Sequence, residues 1–285
     1  IEKIPYYQES VKHLLGDKYQ YTSLYELPKI EAIQKSVYAK EILENLIQIA
    51  NTWVLSYKED EDTSKLLYAK ETLFLIDKLI SYIRLESSVD QSKLFWIDKG
   101  VDTYMLGVEI CYLLKDTENA FYFMEKNKSL LMLENLSDVS KQNLTITSFE
   151  NVKNDYVTET SNFIEYILND KEGYGIFSSA AETAFFKIEN VPALIEQVAT
   201  LKKQCSTRFS KKEHGIAYTK NAHTIFQQLF PFEEALQKIA GKKLTIVSDY
   251  TIKNIPFEAL TINDKADAIK ESFLINQTEI SYLHS

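Results

Sequence analysis

The chain has 285 residues, of which 45% are hydrophobic, and its formal net charge is −9 at pH 7. This length favours two domains, and this hydrophobic content supplies enough apolar surface for packed cores, which excludes disorder as the main state. An acidic chain repels the phosphate backbone, so no nucleic-acid partner is expected, and only seven glycines favour long helices over phosphate-binding loops.

Residues 1–140 are predicted to be helical almost throughout. From residue 38 to residue 50, apolar side chains recur at the three-and-four spacing of one helical face, at Leu43, Leu46, Ile47 and Ala50. Three more helices are predicted on the same grounds, at residues 66–85, 94–114 and 118–136. The joints between them are short and polar, which predicts antiparallel neighbours.

One short sequence occurs twice in the first half, which suggests an internal repeat; we call this recurrence the echo. Tyr-Ala-Lys-Glu occurs at residues 38–41 and again at 68–71, thirty positions later. A period in the low thirties is typical of helix-pair repeats, such as the tetratricopeptide unit of about 34 residues. Strings of unrelated helices produce similar echoes by chance. The prediction is a helical-repeat array, and an irregular helical bundle is the alternative.

The second half of the sequence differs from the first in composition and in periodicity. Ser, Asn, Thr and Asp dominate before residue 163, and residues 141–162 are predicted to be a linker. Runs rich in aromatic and β-branched residues then predict a strand meander, and periodicity predicts two helices after it. The predicted strands are residues 163–168, 174–179 and 183–188, and the predicted helices are residues 191–208 and 217–240.

Residues 244–249 are an apolar run that ends in Asp249, as a buried parallel strand would. Two further short strands are predicted at residues 273–275 and 279–283. A sheet that stopped there would expose an unpaired edge. We therefore expect the natural protein to continue beyond residue 285, and we expect self-association through this edge. The absence of an initial Met suggests a processed or trimmed piece.

A motif follows the buried strand. Asp249 is followed, after a spacer, by Pro256-Phe257 and then by Leu260. Pro256 restricts the backbone and ends the preceding segment, while Phe257 supplies a large ring to bury under the turn, so both are predicted to be scaffold residues. This pattern resembles the start of a CHAT domain, the caspase-like module associated with tetratricopeptide repeats.

The resemblance extends over roughly residues 66–285. In this chain Ser248 and Tyr250 replace the Pro and the Gly of the family's turn. Other stretches are similar to the parts of the family that surround the motif: the last repeat helix (residues 120–136), the opening hairpins (163–188) and the strand after Pro-Phe (280–285).

The resemblance implies an α+β chain in three parts. These are an N-terminal, all-α tetratricopeptide-like array (residues 1–140), the linker (141–162), and the N-terminal part of an α/β caspase-like CHAT domain (163–285). CHAT domains are expected to be cysteine peptidases with a His/Cys dyad, and in the family both dyad residues follow the segment present here. The chain is therefore expected to be inactive by itself, as a protein-interaction and regulatory fragment. The alternative is a non-enzymatic scaffold with an inactive CHAT domain.

The sequence offers one local candidate for a catalytic pair. Cys205 with His214 or His223 is the candidate dyad, but Cys205 lies in a polar helix end without a glycine turn, which predicts an ordinary helix residue. Cys111, in an apolar run, is predicted to be a small core residue. His13 and His284 are isolated.

No metal or cofactor site is predicted. Metal-ligand spacing is missing from the sequence, and no Gly-Lys-Ser/Thr element occurs in it. Gly173 and Gly175 fall in a predicted hairpin rather than before a helix, which argues against dinucleotide binding. Sequons at Asn135, Asn143 and Asn276 are interpreted as chance.

The remaining expectations concern partners and location. No stretch approaches the apolar length of a membrane span, and two cysteines in separate halves favour a reducing, cytoplasmic compartment. The 18 Tyr and 15 Phe are predicted to fill cores, with a peptide groove as the alternative. The expected partner is a protein or peptide bound to the helical array, because such arrays form extended concave surfaces.

Overall fold

The computed structural model describes residues 1–16, 19–86, 90–134, 146–249, 252–253, 255–265 and 269–283. The chain divides into two compact units, residues 1–146 and 147–285. Two of the sequon asparagines, Asn135 and Asn143, lie outside the described residues, as do Tyr250 and His284. Within the described ranges, none of the helices has the length and apolar character needed to span a membrane.

The first unit consists, in its described residues, of helices and their connections. The helices are α1 (Ile4–Leu15), α2 (Ile30–Gln34), α3 (Ala39–Asp60), α4 (Thr63–Glu86), α5 (Asp90–Leu114) and α6 (Thr117–Glu134). The four long helices that periodicity predicted are confirmed as α3 to α6. Between α1 and α2, residues 19–29 form no helix, although this half was predicted to be helical almost throughout.

Short joints hold the helices in pairs. Glu61 follows α3 and Lys115 follows α5, and each adopts a left-handed conformation with φ of 57°. Such residues end helices by turning the chain within one or two positions. Neighbouring helices therefore run antiparallel, with α3 packed on α4, α4 on α5 and α5 on α6.

The thirty-residue echo does not correspond to the period of these pairs. α3 begins at residue 39 and α5 at residue 90, so the helix pair recurs after 51 residues. Residue 38 directly precedes α3, whereas residue 68 lies inside α4. The echo therefore relates two successive helices, because both repeat the same amphipathic pattern.

A buried polar network joins three helices of this unit. Asp77 of α4 accepts hydrogen bonds from the hydroxyl of Tyr104 (2.7 Å) and from that of Tyr122 (2.6 Å), and it pairs with Lys126 (3.0 Å). Burial, together with the hydrogen bond to Asp77, raises the pKa of Tyr122. Core placement is confirmed for Tyr104 and also for Cys111, which is fully buried.

The second unit contains helices around a mixed sheet. Its elements are α7 (Phe149–Tyr156), β1 (Ser161–Leu168), β2 (Gly173–Ser178), β3 (Thr183–Ile188), α8 (Val191–Cys205), α9 (Lys212–Leu229), α10 (Ala235–Ile239), β4 (Lys243–Val247), α11 (Ile269–Ser272) and β5 (Glu279–Leu283). Helix α7 lies inside the range predicted as a linker, and the side chain of Ser148 caps it by accepting from the N–H of Asn151.

Within the described residues the strands are ordered β3-β2-β1-β4-β5. β1, β2 and β3 form an antiparallel meander, and β4 runs parallel to both β1 and β5. The predicted meander and the predicted buried parallel strand are therefore confirmed. One face of the sheet, including Tyr166 and Ile246, packs against α8 and α9 in a single apolar core.

One predicted helix is interrupted in the structure, and one predicted strand is wrong. The helix predicted at residues 217–240 is broken, because Pro231 cannot continue α9 and disfavours helical geometry at Phe230, whose φ is −125°. The strand predicted at residues 273–275 is a short 3-10 helix instead. Its apolar residues anchor a turn: Leu274 is fully buried and its N–H donates to the carbonyl of Leu260 at 2.8 Å.

Candidate functional site

A surface groove of about 320 Å³ lies between α3 and α5 in the first unit. Its lining consists of one side of α3 and a lysine of α5: Glu44, Asn45, Ile47, Gln48 and Lys99. These two helices are the first members of the two helix pairs. In stacked helix pairs, neighbouring repeats together form an extended binding surface, and this groove lies between corresponding helices of the two pairs.

The groove offers mixed polar chemistry. Glu44 supplies a carboxylate, Lys99 an ammonium group, and Asn45 and Gln48 supply amides, each of which can donate and accept hydrogen bonds. The amide of Asn45 donates to the carbonyl of Glu41 at 2.8 Å, and this hydrogen bond fixes the side chain against its own helix. Such a surface suits the backbone and charges of a bound polypeptide better than a small apolar ligand.

Sequence reasoning missed this groove. It assigned Ile47 to the apolar face of α3, whereas the structure leaves Ile47 half-buried in the groove lining. The available signal was the polar stripe formed by Glu44 and Gln48, four residues apart on one side of the helix. The contribution of Lys99 depends on the packing of α5 beside α3, which no local pattern encodes.

In the second unit, the Pro-Phe segment is tucked under the sheet, as predicted. Phe257 is fully buried, and its ring centroid lies 6.1 Å from that of Tyr166 in β1 and 6.2 Å from that of Tyr282 in β5. The hydroxyl of Tyr282 accepts the N–H of Phe257 at 3.1 Å and donates to the carboxylate of Glu258 at 2.7 Å. Burial is the main reason that the pKa of Tyr282 is raised.

Helix α9 holds the same segment from another side. The hydroxyl of Tyr218 donates to the carbonyl of Ala259 at 2.6 Å. At the next residue of α9, the carbonyl of Thr219 accepts a hydrogen bond from the hydroxyl of Thr261 at 3.1 Å. Side-chain hydrogen bonds from two elements thus fix the segment after β4, which is the arrangement of a scaffold and not of a reactive centre.

The structure does not bring the candidate dyad together. Nδ1 of His223 lies 3.1 Å from the carbonyl of Thr261, and Nδ1 of His214 accepts the N–H of Ser210 at 3.4 Å. The hydroxyl of Tyr218, which influences the thiol of Cys205, is itself bound to the carbonyl of Ala259. Burial raises the pKa of Cys205, which keeps the thiol protonated and weakly nucleophilic near neutral pH.

The remaining candidate residues from the sequence lie in contacts that belong to their own helix or strand. Nε2 of His13 lies 3.2 Å from a carboxylate oxygen of Glu9 on α1. Gly173 and Gly175 lie in β2, where a side chain on Gly175 would collide with the ring of Phe186. Among the residues that the structure describes, no group of three or more His, Cys, Asp or Glu is placed to hold a metal ion.

Comparison with known proteins adds no relative. Neither a family model nor a curated protein nor a solved structure matches the chain. The fold and the sites therefore define a class at a coarse level: an α+β chain that joins a unit whose described elements are helices, with a polar groove, to a unit built on a mixed sheet.

Proposed function

We propose that this chain is the protein-interaction and regulatory part of a tetratricopeptide–CHAT protein. The helical unit binds a protein partner, and the second unit forms the front of a caspase-like cysteine peptidase domain whose His/Cys dyad lies outside this chain. One observation carries the proposal: β4 is flanked by parallel strands on both sides, with Phe257 buried beneath it.

The placement of the motif residues supports this assignment. Asp249 stands two residues after the carboxyl end of β4, and the strand that follows Pro256-Phe257 pairs parallel to β4. In sheets with parallel strands, functional sites form beyond the carboxyl ends of those strands. The Pro-Phe segment would then fix the floor of a site at this edge without taking part in the chemistry.

The groove between α3 and α5 is the proposed partner site. Its carboxylate, ammonium and amide groups favour a polypeptide segment that presents charges of both signs and unpaired backbone groups. Partner binding there would regulate the peptidase domain of the intact protein. We place the protein in the cytoplasm, since Cys111 and Cys205 are both free thiols and fit a reducing compartment.

A peptide-display selection on the intact chain tests the partner site. The double substitution Asn45→Ala with Lys99→Ala should lower the affinity of the selected peptides at least about tenfold, or about 1.4 kcal/mol. It removes a hydrogen-bonding group from the α3 side of the groove and a charged group from the α5 side. The matched control is Glu71→Ala with Lys78→Ala, two exposed positions on α4. Fluorescence anisotropy measures each affinity.

Two outcomes contradict the proposal. Peptides that bind the groove variant and the α4 control equally well would exclude the groove as the partner site. Hydrolysis of peptide substrates by the 285-residue chain alone would contradict the placement of the dyad outside it. Circular dichroism of each variant confirms that a loss of binding does not reflect unfolding.

A further inference from the structure

Within the first unit, residues 19–29 form a non-helical segment between α1 and α2 in the sequence, which we name the strap. A buried amide holds it. Gln8 of α1 donates from Nε2 to two consecutive strap carbonyls, those of Ser23 (3.1 Å) and Leu24 (3.2 Å). The two carbonyls converge on one amide because residues 23–26 form a turn, in which the N–H of Glu26 donates to the carbonyl of Ser23 at 3.4 Å. Gln8 therefore binds the backbone of a turn and not particular side chains.

One ring of the strap rests on an aromatic surface. Tyr25 stacks on Tyr68 of α4, with ring centroids 4.3 Å apart, and on Trp53 of α3, with centroids 5.6 Å apart. Trp53 and Tyr68 together form what we name the aromatic seat. Trp53 is 2% exposed, whereas Tyr25 remains 52% exposed. Tyr25 therefore covers the seat without being enclosed by the core.

The strap is held less well than the helices beneath it. The hydroxyl of Tyr21 is buried, and no hydrogen-bond partner for it exists in the described part of the chain. An unsatisfied buried hydroxyl loses its hydrogen bonds to water without gaining one in the protein, which destabilises the segment that carries it. Within the strap, Thr22 donates from its backbone N–H and from its hydroxyl to the carboxylate of Glu26, four residues away. These features are typical of segments that open locally without unfolding the whole protein.

The seat is separate from the groove. Trp53 follows Glu44 by nine residues, which at about 100° per residue places it on the opposite side of α3. Helix α3 thus presents two different surfaces. The groove is polar and open, whereas the seat is aromatic and occupied by the chain's own strap.

We propose that the aromatic seat is a second protein-docking surface, which binds a turn-forming polypeptide segment carrying an aromatic side chain, and that the strap occupies this surface in cis until such a segment displaces it. The strap itself defines the chemistry: two successive carbonyls for Gln8 and one ring for Trp53 and Tyr68. This inference goes beyond the groove and stands independently of it.

A labelled peptide with the sequence of residues 19–29 tests the proposal, titrated into the full chain and followed by fluorescence anisotropy. The wild type should bind it weakly, because the tethered strap competes at an effective concentration of about millimolar. Tyr25→Ala removes the competing ring, so the affinity should rise at least about tenfold. The control is Tyr6→Ala on α1, which is 77% exposed and should behave as wild type.

A second variant distinguishes binding at the aromatic seat from binding caused by a general loss of structure in the first unit. Adding Tyr68→Ala to Tyr25→Ala should abolish the gain, because it removes the face on which the incoming ring stacks. The proposal is overturned if Tyr25→Ala, shown to be folded by its melting curve, binds no peptide, or if the double variant binds equally well. Binding only by a dimeric species in light scattering would make a second copy the occupant and would also overturn it.

Hydrogen exchange of the unlabelled wild type gives an independent readout. The amides of the strap should exchange at least about tenfold faster than those of α3, as expected for local opening. Protection of the strap equal to that of α3 would overturn the proposal, because a segment that opens only with the whole unit cannot yield its place to a partner.

Discussion

Phe257 has the surroundings of a core residue, although it belongs to a segment without regular strand or long helix. Its ring contacts aromatic rings of two strands, and its backbone N–H is bound by the hydroxyl of Tyr282. The preceding Pro256 has φ of −74° and ψ of 93°, which keeps the backbone from entering a helix too early. Burial of one ring thus positions the whole turn after β4.

Replacement of this ring should destabilise the second unit strongly. We expect Phe257→Ala to lower the free energy of unfolding by about 3–5 kcal/mol, because a fully buried ring leaves a cavity that its neighbours fill only in part. The control is Phe209→Ala, at a position that is 39% exposed, with an expected loss below about 1 kcal/mol. Urea unfolding followed by circular dichroism measures both. Equal losses in the two variants would refute the scaffold interpretation.

Two glycines lie in different surroundings, so the substitution of glycine by alanine is expected to affect stability in opposite directions. Gly175 lies in β2, where an added Cβ would come close to ring atoms of Phe186 in the neighbouring strand. Gly215 lies in α9, where an added Cβ would meet nothing within 4 Å. The first glycine makes room for a ring, whereas the second only adds backbone freedom to a helix.

We therefore predict opposite signs for the same substitution. Gly175→Ala should lower the melting temperature, since the ring must shift at a cost of about 1–3 kcal/mol. Gly215→Ala should raise it, since alanine favours a helix interior over glycine by about 0.5–1 kcal/mol. Thermal unfolding of both variants beside the wild type measures the difference. A stabilised Gly175→Ala variant would show that β2 and β3 are less tightly packed than the structure indicates.

The sequence predicted elements best where one local pattern decided them. The period of the apolar residues located α3 to α6, and runs of β-branched and aromatic residues located the meander and β4. The 3-10 helix at Leu274–Asn276 was missed because three apolar residues fit a strand or a turn equally well. The break after Leu229 was missed although Pro231 marks it.

Contacts between distant segments could not be predicted. The polar groove joins α3 to Lys99 of α5, and the seat joins α3 and α4 to Tyr25. Neither depends on a motif or on a period, because each is created by the packing of helices whose exposed faces look alike in sequence. The Asp77 network is similar: its three partners lie on two other helices.

At the scale of the whole molecule, the strands at the two ends of the sheet differ in their charged residues. In the strand order of the described residues, β3 stands at one end and β5 at the other. β3 carries Lys187, a charged residue of the kind that protects sheet edges. β5 has a polar residue at its centre, Ser281, and an acidic one only at its start, Glu279.

The sequence of β5 is suited to pairing with a second copy of itself. An antiparallel pair centred on Ser281 would place Ile280 of each copy opposite Tyr282 of the other, which is a favourable aromatic–aliphatic pair. Such pairing would join two sheets edge to edge around a twofold axis. We therefore propose self-association through this strand.

Gel filtration with light scattering should show a dimer fraction that rises with protein concentration. Ser281→Lys should abolish the dimer, because the twofold axis would bring the two lysines directly opposite each other. The matched control is Ser210→Lys, an exposed position between α8 and α9, which should leave the dimer unchanged. A wild type that stays monomeric at every concentration, or a dimer that survives Ser281→Lys, would argue that the edge of β5 does not pair with itself. Because neither the groove nor the seat includes β5, that result would leave both proposed docking surfaces unaffected.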